Sequence, residues 1–522
     1  MSLGLETDAR RWFVLVAAAL GAFASTVMAT GVNVALPTLV VTFDTTFPVV
    51  QWVVLAYLLS TSALLPIIGR LADMLGKKAI FIVGFFVYLL GSLLCGLAGS
   101  IGMLILLRAL QGVGSAILTS IGLAIVTDIF PASERGRAIG VTGAVLSSGI
   151  VIGPTLGGFL VDAFGWPWVF FAGVPVGLVG VALAAHYVPS YPRGERQRFD
   201  LGGAALLFVC LLALSLGLTL GQSLGFADPL VLGLFGLCTA TLVAFLWLER
   251  HVRQPLLTLE LFANATLTVG LTSGFITFVS IAGTIFLMPF YLENVLGYAP
   301  ARVGLLMSVT PILLVITAPV AGWLADRFGE RPITVIGLAF ILVGYLLVGT
   351  LTQESTALGF VLRFLPLGLG MGTFQTPNNS AIMGSAPKGQ SGVAGGLLAL
   401  TRALGQTAGI ALLGSIWAGR VAARAAPQER GGGMPLAADD VAATSAPPEL
   451  QVAGLHDMLL VIQVGIAVAL LLCLWDLWRR RNQAGVEPTS ASGPDHARSA
   501  DLRPAGSETD EGEPGSDHRA VD

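Results

Sequence analysis

Charge is scarce in this chain: 11% of its 522 residues are Asp, Glu, Lys or Arg, against roughly 25% in a water-soluble domain. So little charge cannot cover a surface facing water on every side, which excludes an ordinary soluble globular protein. Cysteine is scarce as well. Cys95, Cys210, Cys238 and Cys473 stand in apolar runs without ligand spacing, which argues for free thiols and against a disulfide framework or a metal site. No Walker loop is present, and the GxG of GLGMGTF (368–374) lies inside an apolar run, so nucleotide-driven work is excluded. The net charge of −3 singles out no partner.

Apolar residues make up 55% of the chain, together with 65 glycines. A membrane-crossing helix needs about 20 predominantly apolar residues. Runs of that kind lie near 12–40, 50–69, 79–98, 102–126, 137–160, 166–188, 202–221 and 229–248. Six more follow near 265–292, 302–322, 332–351, 355–383, 392–418 and 457–478. They are too long, and too lacking in alternation, for strands of a membrane barrel. Arg10 and Arg11 before the first run resemble a signal peptide, but the run exceeds signal length and leads directly into the next span, so a retained helix is expected.

Lys and Arg concentrate in alternate connections, among them Arg70, Lys77 and Lys78, then Arg193 to Arg198, Arg250 and Arg253, Arg327 and Arg331, and Lys388. The intervening 41–49 and 222–228 have none. The positive-inside rule then places both termini in the cytoplasm of a multi-pass inner-membrane protein. The connection 419–455, with Arg420, Arg424 and Arg430, breaks the pattern on the predicted outside, where long loops obey the rule weakly. The Ser/Pro/Gly-rich tail from about 482 is expected to be disordered.

The chain contains a duplication. GRLADMLGKK (69–78) recurs as GWLADRFGER (322–331), with Asp73 and Asp326 in register (326 − 73 = 253). An arginine follows each at similar distance, Arg108 and Arg363. Two parallel halves in a helical membrane protein point to a transporter rocking about a central site. The expected organisation is a cytoplasmic 1–11, a six-helix bundle over 12–190, two inserted helices within 191–263, a second bundle over 264–480 holding the long 419–455 connection, and a tail over 481–522.

The motifs carry distinct physics. Gly69 and Gly76 permit a tight turn between spans, and Gly322 and Gly329 repeat it. Asp73 and Lys77, and Asp326 and Arg327, act either as a gate latch or as a topology anchor. Arg108 lies within an apolar helix, LILLRALQGVGSA. Placing arginine there costs about 2.5–3.5 kcal/mol, so it faces protein or a watery cavity. In GVTGAVLSSGIVIGPTLGG (140–158), Gly149, Gly153 and Gly157 recur every four residues on one helix face, and Pro154 bends the helix.

Taken together these residues resemble the major facilitator superfamily, in its fourteen-helix drug:proton antiporter branch (EmrB/QacA type), over nearly the whole chain except the tail. The resemblance implies an all-α polytopic membrane protein of two six-helix bundles with two extra helices between them, fourteen spans in all, and no enzyme activity. It makes Gly140, Gly149, Gly153, Pro154, Gly157 and Gly158 an antiporter signature, the two Gly-Asp-Gly turns gates, and Arg108 a residue of proton coupling. Met74 replaces the arginine that usually follows the first gate Asp. No acid occupies the first span, around Val27, Met28 and Ala29, where family members often carry one. Glu293 stands where Gln is usual. Glu293 is therefore either a proton carrier or a solvated surface carboxylate, and Asp73 and Asp128 fit latching better than proton carriage.

Substrate-cavity candidates are Asn33, Tyr57, Gln111, Gln375, Asn378, Asn379 and Arg402. The expected function is proton-driven export of small amphiphiles, with no cofactor beyond the proton gradient. A dedicated exporter of an endogenous metabolite or lipid remains open on the same scaffold, and a non-transporting scaffold fits less well. Partners are the substrate, protons and the bilayer, not nucleic acid; a monomer is expected, although the sequence does not determine oligomeric state.

Overall fold

The computed structural model describes residues 2–189, 201–251, 264–385, 391–425 and 443–484. Arg193, Arg196, Arg198, Arg253, Lys388 and Arg430, residues 426–442 of the 419–455 connection and the tail from 485 lie outside the described residues, as do the side chains around Gly69 and Asp73.

Every element among the described residues is helical, the arrangement that satisfies backbone donors and acceptors within one segment where no water is present. The first half comprises α1 (Ser2–Thr42), α2 (Phe47–Leu75), α3 (Lys77–Gly96), α4 (Ile101–Ile129), α5 (Ala132–Phe164), α6 (Pro167–Phe171) and α7 (Gly173–Tyr187). A hairpin of α8 (Leu201–Leu224) and α9 (Pro229–Glu249) follows. The second half comprises α10 (Ala265–Phe290), α11 (Pro300–Met307), α12 (Val309–Phe328), α13 (Glu330–Val348), α14 (Ala357–Gly384), α15 (Ser391–Ala425) and α16 (Pro448–Ala484). Twelve helical stretches among the described residues are long and apolar enough to cross a membrane, and Phe47–Ser62 and Ala205–Gly221 are shorter apolar ones.

The duplication is visible in the packing. The gate turns pivot on Gly76 and Gly329, at φ 100° and 88°, a region disfavoured for residues with a Cβ. Each donates its N–H to a carbonyl four residues back, Ala72 (2.9 Å) and Ala325 (2.8 Å). The backbone of Gly114 on α4 lies against Tyr88 of α3, and that of Gly370 on α14 against Ile341 of α13. Hence α3 and α13 correspond at an offset of 253 (341 − 88), and α4 and α14 at 256 (370 − 114). On α5, Gly149 and Gly153 meet the carbonyls of Phe23 and Val27; on α15, Gly405 and Gly409 meet those of Phe275 and Val279. So α1 and α10 correspond at 252 (279 − 27), and α5 and α15 at 256 (409 − 153).

The halves touch at the end opposite the gate turns. The Phe47 ring of α2 lies 5.4, 5.2 and 4.8 Å from those of Phe286, Phe290 and Trp417. Across the other seam, Gly158 of α5 abuts Gly304 of α11, and the Thr155 hydroxyl is 2.6 Å from that of Ser308. The inserted α8 packs beside the α2–α15 seam, with Leu207 and Leu211 in one cluster with Leu59 and Leu404, while α9 exposes Leu230, Leu232, Val243 and Trp247.

The structure departs from expectation at the 419–455 connection. Helix α15 runs on to Ala425 because Arg420 and Arg424 are not loop residues. Arg424 pairs with Asp457 of α16 at 2.9 Å, and Arg420 approaches the same carboxylate at 3.9 Å. Arg331, expected as a topology marker, is instead buried: it pairs with Asp476 of α16 at 2.8 Å and donates to the Thr266 carbonyl of α10. Removing one partner of a buried pair is strongly destabilising. Asp476→Asn is therefore expected to cost about 3–5 kcal/mol, read as a lowered melting temperature in detergent. Gly329→Ala is expected to cost about 1–3 kcal/mol, because φ 88° with ψ 153° is a region essentially confined to glycine, and an unchanged melting temperature would refute that strain.

Candidate functional site

Arg108 sits eight residues into α4 and is fully buried, at 0% exposure. Its Nε donates to the Val53 carbonyl of α2 (2.9 Å) and its Nη1 to Gln111 Oε1 (2.6 Å). Gln111 in turn donates to Ser92 of α3 (2.7 Å). The guanidinium carbon lies 4.2 Å from the centre of the Tyr57 ring, and the Tyr57 hydroxyl donates to the Ser25 carbonyl (2.9 Å) and lies 2.8 Å from the Ser115 hydroxyl. No carboxylate pairs with Arg108 among the described residues. The charge is held by charge-assisted hydrogen bonds and an aromatic face, each weaker than a carboxylate but requiring no second buried ion. Nη2 is left without a partner. Tyr57 and Gln111, expected to line a cavity, thus brace Arg108 inside the first bundle.

The duplicate arginine is not equivalent. Arg363 is the seventh residue of α14 and Arg108 the eighth of α4, a turn of about 100° around a helix of 3.6 residues per turn. Arg363 bonds locally, to Thr350 Oγ1 (2.8 Å) and the Gly359 carbonyl (2.9 Å). The position matching Arg108 is Phe364, which lines a small apolar cavity with Thr310, Leu367 and Tyr345.

In the second half, Arg402 of α15 stands over the Phe278 ring of α10, 5.3 Å from its centre, with a buried Nε that has no partner. Phe278, Thr277 and Gln375 line a small cavity between α10 and α14. Asn378, one turn beyond Gln375, donates to the Gly270 carbonyl (3.0 Å) and ties α14 to α10, its Oδ1 being buried and unpartnered. Asn379 is half-buried on the same helix. Asn33 is buried in α1, donating back to Ala29 and Thr30, apart from this group.

The fifth-helix glycines divide into three roles. Gly149, Gly153 and Gly157 face α1, where an added methyl would meet Thr26, Thr30 and the Gly31 carbonyl. Gly158 faces the other half at Pro300 and Gly304, and the Pro154 carbonyl lies against Gly304. Gly140 is exposed with open space around it. In the gate turns, Lys77 pairs with Asp128 of α4 at 2.6 Å. Asp326 is exposed and makes no ion pair among the described residues, and Arg327 lies near the Trp323 and Phe328 rings. Gly322 is half-buried in α12. Glu293 lies in a π-helical turn, Tyr291–Val295, where α10 ends, with Oε1 buried and unpartnered; such turns are frequent at functional sites.

Sequence reasoning missed Ser92, Ser115 and Ser308. Single serines in apolar helices carry no spacing signal, and their bonding is decided by which helices meet.

The profile of the Major Facilitator Superfamily matches residues 18–410. The chain is 34% identical over 412 residues to a riboflavin transporter of Clostridioides difficile, covering 78% of this chain and 89% of that one. It is 34% identical over 415 residues to the multidrug resistance protein Stp of Mycobacterium tuberculosis, covering 79% and 77%. Among solved structures, a bacterial homologue of the human lysosomal transporter Spinster, inward-facing and unoccupied, superposes with a TM-score of 0.62 at 17% identity, covering 89% of this chain and 96% of that one. A peptide transporter bound to sulfate gives 0.63 at 17%, covering 90% and 94%.

Two substitutions separate packing from bystander glycines. Gly158→Leu is expected to lower the melting temperature in detergent or to abolish transport, whereas Gly140→Ala leaves both unchanged. Arg108→Lys keeps the charge but cannot reach Val53 and Gln111 together. Its expected cost is about 1.5–3 kcal/mol, the value of a lost hydrogen bond to a charged group, measured by thermal melting.

Proposed function

The chain belongs to the major facilitator superfamily, and from that premise we propose that it is a proton-coupled exporter of amphiphilic small molecules in the fourteen-helix drug:proton antiporter branch. The proton gradient is its energy source. Helices α2 and α8, through their apolar stretches Phe47–Ser62 and Ala205–Gly221, complete fourteen spans with the other twelve, and both termini lie in the cytoplasm. The observation that carries the exchange reading is the glycine face of α5. Within one helix it is bound to α1 by three glycines and meets the opposite half by a fourth, at a seam where rocking halves must part and rejoin. In this structure the halves meet opposite the gate turns, and the second gate Asp makes no ion pair among the described residues, an arrangement fit for loading from the gate-turn side.

Glu293 is assigned to proton exchange. Its buried, unpartnered oxygen at the end of α10 supplies the acid that the first span lacks. One proton moving through about 150 mV releases roughly 3.5 kcal/mol, enough for a gradient of about 300-fold in a neutral substrate at 1.4 kcal/mol per tenfold.

A second reading, a dedicated exporter of one metabolite, is favoured by the riboflavin-transporting relative. It uses the same helices and differs only in breadth of substrate.

Proteoliposomes with an imposed pH gradient and an internal pH dye test the proposal. Adding amphiphiles is expected to release protons down the gradient, and inverting the gradient is expected to reverse the flux. Glu293→Gln is expected to abolish gradient-driven accumulation while preserving substrate-for-substrate exchange. Substrate movement indifferent to pH would overturn the coupling, and equal activity of Glu293→Gln would remove Glu293 from it. A response to one ligand of a broad panel would favour the dedicated carrier.

A further inference from the structure

The two halves, matched position by position, differ in charge around one duplicated surface. In the first half, α1, α4 and α5 enclose an apolar cavity of about 240 Å³ lined by Ala22, Leu118, Thr119, Leu123 and Leu146, among others. The offsets established by the glycine contacts, 252 for α1 and 256 for α4 and α5, carry these residues onto the second half. Ala22 becomes Gly274, Leu118 Phe374, Thr119 Gln375, Leu123 Asn379 and Leu146 Arg402. The first-half surface carries three leucines with the hydroxyls of Thr119 and Thr142 and no charge; its counterpart carries a guanidinium, a glutamine amide and an asparagine amide, with Leu398 in place of Thr142.

These positions belong together in space. The cavity beside Gln375 is bounded by Phe374 and Phe278, and Phe278 lies beneath Arg402. A Cβ placed on Gly274 would meet Asn378 and Thr401, the neighbour of Arg402, so α10, α14 and α15 converge there. Arg402 has a buried guanidinium nitrogen without a partner and no ion pair among the described residues. A buried cation with unfilled donors gains from an incoming acceptor, most of all an anionic one. The aromatic face beneath it gives a flat ring somewhere to lie. Both α5 and α15 reach the opposite half, through Gly158 at Gly304 and Gly414 at Gln51, and on that ground the two surfaces are assigned to one space between the halves.

We propose that the transport site is two-faced: Arg402, with Gln375 and Asn379, takes the anionic headgroup of an aromatic amphiphile, and the cavity around Leu118, Leu123 and Leu146 takes its apolar body. The inference rests on the transporter reading and names its substrate class. Carboxylates and sulfonates joined to planar rings are preferred, and cations of the same shape are disfavoured by Arg402.

The test uses two probes of matched shape, anilinonaphthalene sulfonate and its uncharged parent N-phenylnaphthylamine, with the full-length protein in proteoliposomes and, separately, by equilibrium dialysis against the detergent-solubilised protein. Arg402→Gln is expected to weaken sulfonate binding and flux at least tenfold while changing the neutral probe by less than about threefold. Arg402→Lys, which keeps the charge, is expected to retain most sulfonate binding. Leu146→Gln is expected to weaken both probes. Equal losses for both probes in Arg402→Gln, or none for either, would overturn the assignment of Arg402. Sulfonate binding that depends on Arg402 without flux of either probe would uphold the site and refute the transport reading. Flux of the neutral probe with no measurable sulfonate binding by the unmodified protein would uphold transport and refute the anionic headgroup.

Discussion

Close approach of helix backbones at glycine is the contact on which the rest of this structure depends. In a bilayer the lipid tails are as apolar as the helices, so little hydrophobic driving force remains between them, and association relies on van der Waals contact at short range. Gly91 against Gln111, Gly114 against Tyr88 and Gly112 against the Tyr57 carbonyl bind α2, α3 and α4 into one unit. Gly344 against Leu367, Gly370 against Ile341 and Gly368 against the Thr310 carbonyl bind their counterparts. A methyl at these positions would fall on backbone, except at Gly368, where it would first meet the Leu313 side chain. The glycines fix the helix positions, and the polar groups are placed as a consequence.

Within that common frame the two halves have diverged in polarity. The first half buries Arg108 with Gln111, Ser92 and Tyr57, where the second has Phe364, Leu367, Tyr345 and Thr310 around a small cavity. Toward the gate turns the relation inverts, with leucines in the first half and Arg402, Gln375 and Asn379 in the second. A duplicated scaffold keeps its backbone contacts because they are sterically exacting, whereas residues bordering a cavity can change without moving a helix. In the proposed site, this divergence is what lets a pair of duplicated bundles hold an amphiphile in one orientation.

The seams between the halves differ in the same spirit. The α5–α11 contact is glycine on glycine, supplemented by the Thr155–Ser308 hydroxyl pair. The corresponding α2–α15 contact places Gln51 over Gly414 beside an aromatic cluster of Phe47, Phe286, Phe290 and Trp417, and the inserted α8 packs next to it. Neither seam is held by an ion pair among the described residues. Alternating access needs such contacts, since a seam held by a large apolar interface or a buried ion pair would not reopen readily. The buried pair of Arg331 and Asp476 lies inside one half instead, where rigidity is useful.

Much of this was legible in the sequence. Long apolar runs, sparse charge and the repeated Gly-Asp-Gly turn determined a duplicated helical membrane protein, because hydrocarbon admits only segments that satisfy their own backbone. The four-residue glycine spacing of the fifth helix determined that one of its faces packs closely, since that period keeps residues on one side. The sequence also marked Arg108 as a buried cation, on the cost of placing it in lipid. What it did not determine was which residue answers to which. Arg363 looked like the counterpart of Arg108, yet one residue of helical register turns it away. Arg331 and Arg420 looked like loop charges, yet Asp476 and Asp457 lie more than thirty residues off in the chain and meet them only when the helices pack. Only the tertiary structure decided that Tyr57 and Gln111 brace Arg108 and that Arg402 matches Leu146 across the repeat, because helix register and rotation are set by contacts between segments far apart in the chain.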